Sequence, residues 1–489
     1  MALRLCLKAR GARALGWVGA LGCLAYGTVG LAAENGQYPV VDASTSSGPT
    51  EEARGIPPPP HGFDSKRSLT IEDLRRKEER GYFTGLPLWN SDPNTGLGFG
   101  ARAYYYYNGE RSDPLFAYTP YLHRVFAQVF ATTKGLQFHW LDYDAPAIFD
   151  SPYRIRSQLI FLRNTSQNFY GIGAQSLEPL TYTGAGRTFS TWQSYDEALR
   201  QVRGDGTTLA RYNQYDLVRP IWLASIERTF FYGLLRQFFG FSIARATLRD
   251  YTGDEVDAVD ADGEDVRAPQ GDTLLTEQCR QGLLGCDGGW DNTLRFGLSL
   301  DTRDFEPDPN SGAFVDFAMD LGTPVLGSDY TYSRVLVSAR YFFSPAPRWV
   351  DLVVAARGTL QAQSRGTPFT SLNTLTYTED TRTGLGGHRT LRGFRQDRFV
   401  GNVLTLANFE LRWTFYRFTL LQQKLGFILV PFLDTGRVYD PGSRLSFADW
   451  RTGGGAALRI SWNLATIVSV DYGVSAEDSG LYINFNHQF

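Results

Sequence analysis

The chain has 489 residues, and its 48 basic and 51 acidic side chains give a formal net charge of −3, which excludes a polybasic nucleic-acid-binding protein. Aromatic residues make up 14% of the chain, beside 51 glycines and only four cysteines. This composition excludes a disulfide-stapled scaffold and a helical membrane protein, whose spans need about 20 apolar residues each. It favours a barrel in which apolar residues alternate with polar ones.

The first 33 residues have the order of a secretory signal peptide. Basic side chains, without any acidic one, precede an uncharged stretch that ends in the small residues 30–33. An uncleaved membrane anchor is the alternative, because the apolar stretch is long. Processing as a lipoprotein at Cys23 is a weaker alternative. We therefore expect an exported mature chain.

Residues 34–84 predict a Pro-rich linker followed by a short periplasmic helix. The linker ends in four consecutive prolines at 57–60, and the helix has an apolar face of only Ile71 and Leu74. About 60 residues would precede the first predicted strand after cleavage, too few for a string of domains of roughly 100 residues each. We expect the barrel to span residues 85–489.

From Leu97 onward the sequence alternates with a period of two, which is typical of β-strands with one face towards lipid and one towards a wet lumen. A soluble sandwich also alternates, but so many long strands with a polar, Gly-rich face favour a transmembrane antiparallel β-barrel. One residue departs from the pattern, because Arg245 falls on the apolar face of its segment. Sixteen strands are predicted, and fourteen or eighteen stay open because 165–204 is irregular. The predicted strands cover 97–107, 116–131, 135–145, 153–163, 180–193, 210–229, 236–250, 291–301, 312–323, 329–343, 348–362, 402–415, 425–438, 452–463, 465–475 and 480–489.

The last segment has the most regular alternation. We expect Leu481, Ile483, Phe485 and Phe489 to face lipid, with Phe489 near the periplasmic interface, where aromatic rings are favoured. The intervening polar residues, Asn484 among them, are then expected to face the lumen.

Five short motifs in order carry a family resemblance. The stretch GGHRTLRGF at 386–394 resembles the external loop, with its Arg-Gly-Phe tip, of the BamA/TamA-type bacterial outer-membrane barrels. Residues 168–173 are similar to an early turn of that superfamily, and residues 301–312 to the periplasmic turn before its ninth strand. Residues 408–412 and 432–436 resemble its twelfth and thirteenth strands. The resemblance implies a 16-strand barrel with an inward-folded external loop, in a form lacking repeated periplasmic polypeptide-transport domains.

The external loop provides the main candidate site. Arg392 lies in a Gly-flanked loop that can fold into the lumen, where a guanidinium group needs carboxylate partners. Alternation places Glu410 on an inner face, and the resemblance implies that Glu410 and Asp434 both pair with Arg392. An exposed loop arginine in water is the alternative. The candidate loop-clamp residues are Arg392, Gly393, Phe394, Glu410, Phe432, Asp434 and Gly436. The candidate periplasmic-turn residues are Asp301, Arg303, Asp304, Pro309 and Gly312.

Cys279 and Cys286 are the two cysteines outside the signal peptide. They bracket two glycines, and export to an oxidising compartment predicts a loop disulfide between them. The nearby acidic stretch 252–272 predicts a solvated loop rather than a calcium site, because Ala258 occupies the first ligand position.

No motif of enzyme chemistry is recognised. The five histidines have no pair at metal-ligand spacing, and no nucleophile elbow or phosphate loop occurs. We expect no metal, no cofactor and no catalytic activity, and an outer-membrane lipase is disfavoured.

The resemblance implies a barrel of the assembly or translocation type, which inserts or translocates polypeptide, or lipid, across the outer membrane. A passive channel plugged by the Arg392 loop is the alternative. The expected partners are outer-membrane lipids and a separate periplasmic delivery protein or a client polypeptide, without nucleic acid.

Overall fold

The computed structural model describes residues 74, 77–92, 95–231, 233–304, 308–379, 381–420, 423–462, 466–485 and 487–489. The predicted signal peptide and nearly all of the predicted linker and helix lie outside these residues. None of the described helices is long and apolar enough to cross a membrane.

Sixteen strands form one closed antiparallel barrel in which each strand pairs with its neighbours in sequence. The expectation of a 16-strand barrel is confirmed. The strands are β1 (Gly81–Asp92), β2 (Gly96–Tyr107), β3 (His123–Thr132), β4 (Leu136–Ala145), β5 (Tyr153–Asn168), β6 (Gln214–Phe230), β7 (Leu235–Arg249), β8 (Thr293–Asp301), β9 (Gly312–Gly322), β10 (Tyr332–Phe343), β11 (Leu352–Gln363), β12 (Val403–Leu420), β13 (Gln423–Tyr439), β14 (Arg451–Trp462), β15 (Thr466–Ser475) and β16 (Ser479–Phe485).

The alternation of side chains sorts polar residues into the lumen and apolar residues outward. In β10, Arg334 and Ser338 are buried inside, whereas Val337 and Tyr341 are 44% and 57% exposed on the outer surface. Because the period of a strand is two, each outward residue is flanked by inward ones, and the wall needs no long apolar run.

One strand of the barrel was not predicted and one predicted strand does not form, so the two errors cancel in the count. The first strand is Gly81–Asp92, so the barrel starts four residues before the expected boundary at 85. Gly85 and Pro87 interrupt its pattern, and proline is tolerated in β1 because this strand is sparsely paired along its edge towards β16. The predicted strand 180–193 is absent. Only one isolated bridge, Leu180 to Phe189, forms there before a helix begins.

The narrowest pairing in the barrel is its closure. β1 pairs with β2 along its whole length, but among the described residues its pairing with β16 consists of the single residue pair Ser91–Ile483. β15 and β16 pair over seven residues, from Val468–Phe485 to Val474–Ser479. The junction of β1 with β16, called the seam below, is therefore much less hydrogen-bonded than the rest of the wall.

The long connections lie at one end of the barrel, as is usual for the external side of such barrels. Two of them, residues 169–213 and 250–288, pack together as an outer cap with its own hydrophobic core. The cap contains α1 (Trp192–Arg200), α2 (Leu274–Arg280) and the hairpin of strands Glu255–Val259 and Asp265–Pro269. Its most deeply buried side chains include Tyr195, Leu199, Tyr215 and Phe169.

The third long connection, residues 364–402, enters the barrel. A cluster of fully buried apolar side chains joins this loop to the inner faces of β9, β10, β12 and β13. The loop members of that cluster are Leu375, Tyr377, Leu385, Leu391, Phe394 and Phe399. The lumen therefore has an ordered filling, and the expected inward-folded loop is confirmed.

Candidate functional site: the loop clamp in the lumen

Glycines allow the loop tip, residues 384–399, to lie directly on the barrel wall. A Cβ at Gly453 would lie 2.1 Å from the backbone oxygen of Arg392, and one at Gly473 would lie 2.8 Å from the Cβ of Arg392. Gly393 has a φ of +92°, which side chains other than glycine rarely adopt. The tip can press against β14 and β15 only because these three positions have no side chain.

The guanidinium group of Arg392 is held by three carboxylates. Its Nε and one Nη donate to Asp434 at 2.7 and 3.0 Å, and the other Nη donates to Glu410 at 3.0 Å and Asp471 at 2.8 Å. The guanidinium carbon also lies 3.3 Å from the ring centroid of Phe432. The structure thus brings Arg392 together with Glu410 and Asp434, the two partners proposed from the sequence.

Glu410 links this contact to two further arginines. Arg459 donates to both of its oxygens at 2.6 and 2.9 Å, and Arg412 donates at 3.0 Å. Three guanidinium groups therefore face three carboxylates, so the buried charges balance, which is the condition for stable burial of ions. We call this set the ionic cluster, and it consists of Arg392, Arg412, Arg459, Glu410, Asp434 and Asp471.

Two other predicted clamp residues shape the apolar side of the loop. The ring of Phe394 packs edge-on against Phe399 at 5.1 Å. Gly436 leaves room for the loop, because a Cβ there would lie 3.2 Å from a methyl carbon of Leu385. Both residues thus belong to the apolar contact between the loop and the barrel wall.

The predicted position of Phe489 was wrong. The described part of β16 ends at Phe485, and Phe489 is 8% exposed inside the lumen instead of facing lipid. Its ring lies 4.9 Å from the guanidinium carbon of Arg357 and 5.3 Å from that of Arg412, and Arg412 donates a 2.8 Å hydrogen bond to its carbonyl oxygen. These cation–π contacts draw the aromatic ring away from lipid.

The predicted periplasmic turn binds the same loop from the opposite end. Arg303 chelates Asp301 with bonds of 2.9 and 2.8 Å and also donates to Glu379 at 3.1 Å. Glu379 belongs to the long loop and accepts a second bond from Arg340 at 2.8 Å. The loop therefore has ionic attachments at two separate places in the lumen.

The rest of the turn has a conventional structural role. Asp304 accepts bonds from the backbone N–H groups of Asn310 and Ser311 at 3.0 and 3.2 Å. Pro309 is buried, and Gly312 starts β9 with a φ of +102°. These contacts fix the entry of β9 and bring no ligand-binding group into the lumen.

At the outer end of the loop tip, Asp397 is a buried acid. Its Oδ2 accepts a 2.5 Å bond from the side chain of Gln167, at the end of β5. Burial raises the pKa of Asp397 to about 7, because the carboxylate loses its hydration. Its protonation state is thus linked to whether the loop is docked.

The outer cap contains the disulfide. Cys279 and Cys286 are bonded, and Cys279 packs against the core of the cap. Among the residues that the structure describes, no group of three His, Cys, Asp or Glu side chains could hold a metal ion.

Sequence reasoning missed half of the ionic cluster. Arg412, Arg459 and Asp471 belong to it without having been proposed. All three are inward polar residues between outward apolar ones, such as Asp471 between Val470 and Tyr472. Alternation could therefore have found them as lumen residues, but not as partners of one another.

Comparison with known proteins decides the family. Residues 228–489, more than half of the chain, match the Omp85 superfamily domain. The chain belongs to the Omp85 superfamily. Residues 59–122, which include β1 and β2, match a domain of unknown function, DUF5982. A search of curated proteins found no match.

Solved structures of two other proteins resemble this chain at low identity. BamA from Haemophilus ducreyi lacking POTRA domains 1–3 is 12% identical, with a TM-score of 0.50, over 84% of this chain and 70% of that chain. CdiB from Escherichia coli is 11% identical, with a TM-score of 0.48, over 84% of this chain. The chain spans less than two thirds of the CdiB chain, 63% of its length. The protein is an Omp85 barrel of the bacterial outer membrane.

Proposed function

We propose that this Omp85 barrel inserts or translocates polypeptide at the outer membrane, using the seam between β1 and β16. The observation that carries the proposal is that Ser91–Ile483 is the single pair between β1 and β16 in the part of the chain that the structure describes. The unpaired backbone of an edge strand is a template for an incoming strand. Family membership supports the same type of activity.

The loop clamp acts on this seam from inside. The hydroxyl of Tyr482 on β16 accepts a 3.3 Å bond from the backbone N–H of Gly393, and the hydroxyl of Ser475 donates to the carbonyl of Gly393 at 2.7 Å. The loop tip therefore contacts β16 from the lumen side, and the edge of β16 towards β1 is almost unpaired. We infer that the docked loop keeps β16 in place while β1 separates from it.

A client polypeptide and a separate periplasmic delivery protein are the proposed partners, and lipid is the alternative cargo. A passive channel is less well supported, because the ordered loop fills the lumen and the cap covers its outer end. Such a channel would not need the seam to open.

A crosslink across the seam tests the proposal. The variant Ser91→Cys/Ile483→Cys, oxidised in proteoliposomes, should abolish acceleration of the folding of a urea-unfolded eight-stranded barrel, measured by heat-modifiable gel mobility. The matched control Ser91→Cys/Leu97→Cys joins β1 to β2 at the paired residues Ser91 and Leu97 and should keep the activity. Full activity of the locked seam would refute the use of the seam, whereas planar-bilayer conductance by a wild type that does not accelerate folding would favour the channel instead.

A further inference from the structure

The outer wall of the barrel carries an arginine whose presence the proposed function does not explain. Arg245 is exposed on the lipid-facing side of β7, in line with the outward residues Phe239 and Ile243. Its guanidinium carbon lies 5.7 Å from the ring centroid of Trp290. No carboxylate of the described residues lies within ion-pair distance of it. An unpaired cation on a lipid-facing surface is costly unless it lies at headgroup level.

The position of Arg245 along its strand corresponds to that level. Ten residues separate it from Leu235, the first residue of β7 at the end with short turns. At ~3.3 Å per residue and a tilt of roughly 40°, this separation corresponds to a height of about 25 Å, the height of the apolar band of such barrels. Arg245 and Trp290 therefore lie at the outer edge of the band, where lipid headgroups begin.

An apolar groove lies beside this pair on the lipid-facing wall. It has a volume of ≈ 530 Å³ and crosses β3 to β7. Pro220 contributes to it with a compact ring between the bulkier Phe161 and Trp222. The outward side chains that line the groove are Leu141, Leu159, Phe161, Trp222, Ile243 and Trp290. An acyl chain fits these six side chains, because they offer its hydrocarbon an almost entirely apolar surface, whereas the polar side chains of Gln128 and His139 lie at the border of the groove.

A histidine borders the groove on the side away from Arg245. The register places His139, Phe161, Pro220 and Arg245 in one row across β4, β5, β6 and β7. The buried Nδ1 of His139 has no hydrogen-bond partner among the described residues. Three strand spacings separate His139 from Arg245, which amounts to about 14 Å. Because the strands are tilted by roughly 40°, about 9 Å of this separation lies along the membrane normal. A headgroup that reaches both residues is therefore larger than one phosphodiester in depth as well as in width, which favours a glycolipid over a glycerophospholipid.

We propose that this wall is a binding site for a phosphorylated, multiply acylated glycolipid of the outer leaflet. Arg245 and Trp290 hold a phosphate, His139 contacts the other side of the headgroup, and an acyl chain lies in the groove. Charge-assisted bonds to phosphate supply the selectivity, whereas the groove supplies affinity for any acylated lipid. The site lies on the lipid-facing wall, outside the lumen and away from the loop clamp.

Native mass spectrometry of the purified full chain in detergent tests the proposal, with lipid A and dephosphorylated lipid A as probes. Wild type should bind the phosphorylated probe at least about tenfold more tightly, which is the expected size of a charged hydrogen bond. Arg245→Gln should remove this preference and leave binding of the dephosphorylated probe unchanged. Leu141→Trp, which narrows the groove, should weaken the binding of both probes. Inorganic phosphate should displace neither probe.

The matched control is Arg228→Gln. Arg228 is also an outward arginine beside aromatic rings, 5.2 Å from Tyr153 and 4.9 Å from Phe230, but it lies near the opposite end of the wall. This variant should retain the preference for the phosphorylated probe. If Arg228→Gln and Arg245→Gln lost the preference for the phosphorylated probe equally, the proposal would be overturned, because the overall charge of the protein would then attract the phosphate. Equal binding of both probes by wild type would also overturn it.

Discussion

Replacing Arg392 by alanine tests the loop clamp, because it removes one side of a buried ionic contact. Glu410 would keep Arg412 and Arg459, and Asp471 would keep Arg459 at 3.5 Å, so the carboxylate that loses most is Asp434. Removing one partner of a buried pair costs about 3–5 kcal/mol. We expect the equilibrium between docked and open loop to shift towards the open form by roughly two to three and a half orders of magnitude.

Hydrogen exchange measures this opening directly. The amides of Gly387 and Phe399 are bonded within the loop, to the carbonyls of Phe394 and Leu385, and should exchange faster in Arg392→Ala. The barrel should stay heat-modifiable, because its backbone ladder does not involve Arg392. Arg389→Ala, an exposed arginine of the same loop, is the control and should leave the protection of the loop unchanged. Unchanged protection of the loop in Arg392→Ala would refute the reasoning.

Three further predictions concern other parts of the molecule. Replacing Cys279 and Cys286 by serine should destabilise the cap by about 2.5 kcal/mol in the chain-entropy estimate and leave barrel mobility on gels unchanged, as limited proteolysis and heat modification can show. Ile483→Arg should impair folding by about 2–4 kcal/mol, whereas Asn484→Arg should fold, and the reverse order on heat-modifiable gels would invert the face assignment. Because the pKa of Asp397 is raised in the docked loop to about 7, docking should be strongest at low pH and weaken as pH rises from about 4 to 7. Loop exchange, corrected for its intrinsic rate, should therefore be slower at pH 5 than at pH 8, and Asp397→Asn should abolish the difference.

The sequence predicted the wall of the barrel better than what lies inside it. Side-chain alternation is a local property, and it located most strands, such as β12 and β13, within a few residues. It failed at β1, where Gly85 and Pro87 interrupt the pattern. It also failed at 180–193, because apolar residues that fill the cap alternate for a stretch without belonging to the wall.

The ionic cluster could be predicted only in part, for a physical reason. Arg392 and its partners are far apart in sequence, and only a family resemblance connected Arg392 to Asp434. The pairing of Glu410 with Arg459 depends on strand register across β12, β13 and β14, which no local pattern encodes. Phe489 was misplaced because alternation is a local pattern that extends the last strand to Phe489. It does not contain the distant guanidinium groups that attract the ring of Phe489 inward.

The seam and the loop clamp are best understood together. Backbone groups left unpaired in hydrocarbon are expensive, so an edge with one residue pair favours any strand that can complete its ladder. That tendency alone would also favour collapse or aggregation of the barrel. The contacts of the loop tip with Tyr482 and Ser475 bind β16 and β15 from inside, through side chains and loop backbone rather than through the ladder at the seam. In the proposed function, the ladder at the seam opens to a client strand while β16 stays attached to the filled lumen. Weakening the ionic cluster should then impair this separation before it impairs the barrel itself.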